Sequence, residues 1–202
     1  MWPLDDPRWQ AFAHLDGIQE RLYDVVRSPD LILKHTGRPT HWDSLLSDMF
    51  HLREASPAMM HAFPLLVHVV ALLRPEDRGE HLIDLADAAA QFTLGTHHPR
   101  LLQLPTCVHD DYQVSLRVLL PITQEAIAAG AHRDTEWDSE EALAALLSLQ
   151  AFARDEQRLG VLLARWHPYT AASSSGPAQP VWALQQYEEL TGGPDVDIRR
   201  DL

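Results

Sequence analysis

The chain has 202 residues, of which 46% are hydrophobic and 22% are charged, enough for one domain with a sizeable core, or one domain with an appendage. Sixteen Lys and Arg against 29 Asp and Glu give a formal net charge of -13, which would repel the phosphates that dominate nucleic-acid affinity. The longest apolar run, 62–73, is interrupted and too short to span a bilayer. These properties disfavour nucleic-acid binding, a membrane protein and wholesale disorder.

The cysteine content and the first residues favour a cytoplasmic protein. Cys107 is the single cysteine, so an intramolecular disulfide and a cysteine-based zinc site are excluded. Asp5 and Asp6 stand where a signal peptide would carry basic residues, and no matching apolar segment follows. No motif requires a cofactor.

The first half of the chain is predicted to be helical, because apolar residues follow the helical period and β-branched residues are sparse. Two helix starts carry capping signals: Thr40 with Asp43 is close to a capping box, and Ser56-Pro57 combines a capping hydroxyl with a proline at the first helical position. Pro64 predicts a kink or a late start. In chain order, the predicted helices occupy about 5–27, 40–50, 56–74 and 80–94.

The second half is predicted to continue in helices after a loop over 96–107. Asp110 and Asp111 place negative charge at a helix start, Pro121 is expected to bend that helix, and Asp138-Ser139 begins the next one. A segment over 155–166 would complete a helical hairpin. The predicted organisation is a helical-repeat domain over 1–169, a Ser/Gly/Pro-rich flexible linker over 170–179, and a C-terminal helix with an acidic tail over 180–202.

Helices in pairs with short turns and no clear strand predict an all-α fold. The expected architecture is a set of antiparallel helix hairpins stacked as a short HEAT-like α-solenoid or an irregular helical bundle. No fixed period separates the two alternatives.

Three segments in the first third of the chain resemble a group of actinobacterial HEAT-like repeat proteins of unassigned function. They are Leu4-Asp5-Asp6-Pro7-Arg8-Trp9, Trp42-Asp43-Ser44-Leu45 and the run from Ser56 to Leu66. The resemblance implies a helical-repeat fold, and such proteins generally bind other proteins on a concave face.

Aromatic residues lie beside carboxylates in two segments, where they could form the centre of a binding surface for a basic partner. The candidate partner-binding residues are Asp110, Asp111, Tyr112, Asp134, Glu136, Trp137, Asp138, Glu140 and Glu141. The alternative interpretation is a solvated loop and charged first helical turns. If hairpin stacking brings the two segments to one edge, they form a single acidic patch.

The leading functional hypothesis is a non-enzymatic, immunity or antitoxin-like protein that covers a basic bacterial toxin or effector with an acidic face. One alternative is a metal-dependent HD-type phosphohydrolase that uses His109 and Asp110, since His and carboxylate ligands can bind a divalent ion that acidifies water. Its further ligands would be His68, His81 or His97, with Asp134. A helical-repeat scaffold or regulator is the third hypothesis.

Overall fold

The computed structural model describes residues 18–33, 40–49, 56–95, 99–133 and 135–165, and every regular element within these ranges is helical. The all-α prediction is thereby confirmed. The α-helices are α1 (Ile18–Arg27), α2 (His41–Met49), α3 (Pro57–Leu72), α4 (Gly79–Leu94), α5 (Pro99–Leu102), α6 (Thr106–Ala129), α7 (Ser139–Ala153) and α8 (Gln157–Ala164). Short 3-10 helices occupy Pro29–Ile32 and Pro75–Asp77.

Three predicted helix starts are present with their capping hydrogen bonds. The Thr40 backbone N–H donates to Asp43 Oδ2 at 2.8 Å, and the Asp43 N–H donates back to Thr40 Oγ1 at 3.0 Å. Ser56 caps α3 and Asp138 caps α7, each through a side-chain oxygen that accepts a backbone N–H. These bonds satisfy donors that the first helical turn leaves without partners.

The core forms where two consecutive pairs of helices pack against each other. The 3-10 turn Pro75–Asp77 links α3 to α4, and α3 packs against α6 while α4 packs against α7. Helix α8 covers α7 and α4, and α1 packs on α2 and α3. Helix α3 is buried almost all round, as expected of a helix in the centre of an all-α domain.

Neither proline within a long helix ends it. Pro64 lies inside α3 and Pro121 inside α6. Helix α3 already begins at Pro57, so the late start that Pro64 suggested does not occur.

The predicted loop over 96–107 is wrong in its second part. Residues 99–102 form α5, and α6 begins at Thr106 after Pro105, which takes the N-cap position without a side-chain hydrogen bond. Asp110 and Asp111 therefore lie in the second turn and not at the helix start. Helix α8 is shorter than predicted, because Asp155, with a left-handed φ of 66°, precedes it in a turn.

Several predicted features lie outside the described residues. They are the beginning of the first helix, the linker over 170–179 and the C-terminal helix over 180–190. Among the described helices, none combines the length and the apolar character needed to cross a membrane.

Candidate functional site

A pocket of about 190 Å³ is formed by the start of α2, the first turns of α4 and the connection between α6 and α7. Four of its lining side chains are carboxylates and two are indoles, and we call it the Asp84 pocket. Its lining residues are Ile32, Thr40, Trp42, Asp43, Glu80, His81, Asp84, Glu136 and Trp137. A concave site with converging polar groups is the usual setting for ligand binding.

The spacing of residues on α4 places two of the carboxylates side by side. Glu80 and Asp84 are four residues apart and so share a face of the helix, where like charges oppose each other. Glu80 Oε1 also accepts the backbone N–H of Glu136 at 3.1 Å, which attaches the α6–α7 connection to α4. The sequence thus gathers acidic groups that repel one another in the absence of a cation.

Gly79 allows the beginning of α4 to approach the α6–α7 connection closely. A Cβ atom at this position would collide with the backbone carbonyl oxygen of Ala131 and would also lie 2.9 Å from Thr135 Cγ2. A backbone carbonyl cannot move aside as the end of a flexible side chain can. Glycine is therefore required for the contact that places Glu136 and Trp137 beside the pocket.

Asp84 forms a long-range hydrogen bond at the pocket wall. The Trp42 Nε1–H donates to Asp84 Oδ2 at 2.7 Å, and the Trp42 ring, which is 2% exposed, meets the edge of His81 at a centroid distance of 4.9 Å. Within the described part of the chain, no other hydrogen bond and no ion pair reaches the Asp84 carboxylate. Its negative charge therefore lies in the pocket without a cationic partner from those residues.

The environment of Asp84 raises its pKa from the ordinary value of 3.8 to about 7. Burial is the largest cause, and the nearby carboxylates of Asp87, Asp43 and Glu80 act in the same direction, while the Trp42 hydrogen bond opposes them. Asp87 is in a different situation, since Arg165 contacts its carboxylate at 2.9 Å.

The structure separates the predicted residues around Trp137 into different roles. Glu136 and Trp137 line the Asp84 pocket, and 46% of Trp137 is exposed. Asp138 caps α7 by accepting the Glu140 backbone N–H at 2.9 Å, so its carboxylate has a structural role. Glu140 and Glu141 lie in the first turn of α7, and Asp134 lies outside the described residues.

The other predicted group, Asp110, Asp111 and Tyr112, lies far from the pocket. About 27 Å of helix separates Asp111 from the end of α6 at Ala129, at about 1.5 Å per residue. The connection that carries Trp137 begins beyond that end. The two acidic segments therefore do not form the single patch that the sequence suggested.

Tyr112 is also unavailable to a partner, because it is only 5% exposed. Its ring contacts Phe63 and Phe92 edge to face, at centroid distances of 4.9 and 5.2 Å. Its hydroxyl is buried and has no hydrogen-bond partner among the described residues, and burial raises its pKa. The candidate partner-binding role of Tyr112 does not fit this position, because the residue belongs to the aromatic core.

The metal-site hypothesis receives no geometric support from the described residues. The His109 Nε2 lies 3.1 Å from the backbone carbonyl oxygen of Leu101, as expected for a helix-to-helix hydrogen bond. His68 is exposed on α3 and His81 lines the Asp84 pocket, while His97 and Asp134 lie outside the described ranges. Among the residues described, no group of three or more His, Cys, Asp or Glu is arranged to hold a metal ion.

Of the residues that line the pocket, the sequence patterns indicate only Glu136 and Trp137 as candidate partner-binding residues. One signal was present: Asp84 interrupts an apolar stretch between Ile83 and Leu85, where a carboxylate is unusual. Its partner Trp42 is 42 residues away in sequence. Local patterns do not reveal such a pairing.

Comparison with known proteins finds no match to this chain among protein-family models, curated proteins or solved structures. Function is therefore inferred from the chemistry of the pocket and its surroundings.

Proposed function

We propose that this protein is a non-enzymatic binding module that recognises a basic protein partner at the Asp84 pocket and the adjoining start of α7. The observation that carries the proposal is the convergence of carboxylates beside a half-exposed indole. The residues concerned are Asp43, Glu80, Asp84, Glu136 and Trp137. An aromatic anchor surrounded by groups of one charge is typical of interface hot spots.

Charge at two length scales supports this proposal. The net charge of -13 attracts a cationic partner over long distances and accelerates its encounter. At short range, Asp84 lacks a cation among the described residues, so a partner's cation would relieve the repulsion between Asp84 and its acidic neighbours.

The specific form of this function is neutralisation of a basic bacterial toxin or effector in the cytoplasm, by physical occlusion of its cationic surface. A HEAT-like arrangement of the helices would suit this role, because helical repeats present extended surfaces to protein partners. The product of a gene adjacent to the gene for this chain, where it is a basic effector, is the natural partner to test.

The proposal is tested by titrating the full chain with that effector, in catalytically inactive form, at two salt concentrations. We expect binding that weakens with salt, because screening reduces the long-range attraction. Glu136→Lys combined with Glu140→Lys should slow association, and Trp137→Ala should speed dissociation, since anchors act through desolvated contact. These positions are exposed, so circular dichroism should remain unchanged.

A matched control is available at the far end of α6. Asp110→Lys reverses one exposed charge at a position remote from the pocket, as Glu136→Lys alone reverses one beside it, and it should alter the association rate less than that single variant. Equal effects at both places would show that only net charge matters. Affinity that ignores salt and all of these substitutions would contradict the proposal.

A further inference from the structure

The Asp84 pocket differs from an ordinary acidic surface in having a partly buried carboxylate and two indoles in its lining. One Asp84 oxygen is held by the Trp42 indole N–H at 2.7 Å, which fixes the orientation of the carboxylate. The second oxygen has no partner within the described part of the chain. The pocket is larger than a single water molecule requires. A preoriented acceptor of this kind suits a donor group that enters from outside.

The aromatic residues of the pocket indicate which kind of donor group fits it. Trp137 is 46% exposed and lines the same pocket as Asp84, so a cation that enters the pocket meets an indole surface as well as carboxylates. Cations stack favourably on indole rings, and guanidinium does so more often than ammonium because it is planar and weakly hydrated. A guanidinium also offers five N–H donors in a fork that matches carboxylate oxygens.

The positions of the carboxylates also favour a guanidinium over an ammonium group. They reach the pocket from three separate segments, at Asp43 on α2, Glu80 and Asp84 on α4, and Glu136 on the α6–α7 connection. A planar guanidinium with several N–H groups can contact carboxylates of more than one segment at once, which a compact ammonium does less well. A metal ion is a poorer fit, since no group of three ligating side chains among the described residues is arranged for one.

We propose that the Asp84 pocket binds a guanidinium group, with Asp84 as its carboxylate partner and Trp137 stacked against it. This inference rests on the proposed function, in which the group is an arginine side chain of the basic partner. A free guanidinium compound presents the same chemistry, and the experiment below separates the two sources.

The test is calorimetric titration of the full chain at low salt and at about pH 8. The probes are an arginine blocked at both ends, the corresponding blocked lysine, agmatine, and matched peptides that carry one arginine or one lysine between neutral residues. We expect the arginine probes to bind at one site, about fivefold or more tighter than the lysine probes. Tighter binding of the arginine peptide than of agmatine assigns the site to a partner's side chain, and the reverse order assigns it to a free compound.

Variants locate the binding to the pocket. Asp84→Asn should weaken the arginine probes by about tenfold or more, and Trp137→Ala by about two- to fivefold. Asp110→Asn is the matched control, because it removes one carboxylate charge at an exposed position remote from the pocket, and it should change affinity by less than about twofold. In an NMR spectrum, the Trp42 indole N–H signal should shift on binding, since that group donates to Asp84.

Equal binding of arginine and lysine probes, or an Asp84→Asn variant that binds like the wild type, would overturn the guanidinium assignment. The proposed function fails separately. If the basic effector binds in a salt-dependent way that Glu136→Lys and Glu140→Lys weaken but Asp84→Asn does not, the acidic surface stands and the pocket assignment is wrong. If arginine probes bind but the effector does not, the partner is wrong and the pocket chemistry stands.

Discussion

At the scale of single residues, this protein keeps a carboxylate where its charge opposes folding. Asp84 has a pKa of about 7 because it is buried and surrounded by other acids. An unfolded chain would give the same group a pKa of about 3.9. Between about pH 4 and pH 7, the Asp84 carboxyl is therefore largely protonated in the folded state and largely ionised in the unfolded state. The free energy of unfolding therefore falls as the pH rises from about 4 to about 7 and stays at the lower level above that, as expected of a residue retained for binding.

Asp84→Asn should raise the free energy of unfolding at about pH 8 by roughly 1–3 kcal/mol, because it removes the buried charge and keeps an oxygen for the Trp42 indole. The gain should shrink as the pH falls from about 7 and vanish below about pH 4, where Asp84 becomes protonated in both states. Urea unfolding of both proteins across this range measures the difference. A variant less stable than the wild type at pH 8 would contradict the prediction.

Tyr112→Phe should leave stability unchanged or raise it by up to about 1 kcal/mol. The hydroxyl is buried and finds no hydrogen-bond partner in the described part of the chain, so its removal relieves an unsatisfied polar group. Tyr112→Ala is the contrasting variant and should lose about 3–5 kcal/mol, because it leaves a cavity between Phe63 and Phe92. Denaturant titrations check both values, and a loss above 1 kcal/mol in Tyr112→Phe would reveal a function for the hydroxyl.

At the scale of helices, local chemistry predicts starts well when a side chain makes the cap. Thr40, Ser56 and Asp138 all cap helices as expected, because the hydrogen bond is formed within three residues of the cap. The predicted start of α6 is wrong for two reasons. Pro105, at the N-cap, makes no side-chain hydrogen bond, and the acidic pair at 110–111 has the composition of a first helical turn although it lies in the second. Capping chemistry is local, whereas the choice between two plausible starts depends on packing.

Close contacts between elements are the part that the sequence conceals. The bond from Glu136 to Glu80 joins residues 56 apart, and no periodicity marks either as a partner of the other. The need for glycine at position 79 is equally hidden, because it arises from the Ala131 carbonyl, which is distant in sequence. The pocket could therefore be predicted only in part, through Glu136 and Trp137.

Gly79→Ala should destabilise the protein by roughly 1–3 kcal/mol, although alanine is the better helix former, because its Cβ would collide with the Ala131 carbonyl. The same change should weaken binding of a basic partner by displacing the α6–α7 connection. Adding Thr135→Ala removes the side-chain contact at 2.9 Å but leaves the carbonyl, so little stability should return. Thermal unfolding of the three variants decides this, and a Gly79→Ala protein as stable as the wild type would refute the close approach.

At the scale of the whole molecule, the described helices already form one contiguous apolar core. Its buried residues extend from Ile18 in α1 to Val161 in α8. The all-α architecture was predictable because 3.6-residue periodicity survives in nearly every segment. Which helices pack against each other could not be predicted, because the contacts of α3 with α6 and of α4 with α7 depend on tertiary packing alone.

Removal of the residues after Thr170 should leave the core folded. The apolar cluster within the described ranges ends at α8, and the Ser/Gly/Pro-rich segment beyond it has few side chains for packing. The melting temperature of the truncated chain should stay within about 2–4 °C of the full chain, which corresponds to about 1 kcal/mol. A larger decrease would show that Trp182 or Tyr187 packs on the core.

Binding of an arginine-containing partner should be coupled to proton release. A guanidinium beside Asp84 favours the ionised carboxylate and lowers its pKa below the value of about 7 in the free protein. Affinity should therefore rise with pH, by up to about tenfold per pH unit below 7, and level off above it. The charged or titratable groups facing Asp84 are Asp43, Glu80, His81, Asp87 and Glu136.

His81 is a second group through which affinity can rise with pH, since a protonated imidazole would repel the guanidinium. Asp84→Asn separates the two groups, because it removes the carboxylate and keeps the imidazole. Titrations between about pH 6 and pH 8, in buffers of different ionisation enthalpy, count the protons released. The wild type should release close to one proton at about pH 6 and little at about pH 8, and the variant should release none from this position. An unchanged pH slope in Asp84→Asn would assign the coupling to His81 and remove Asp84 from the binding site.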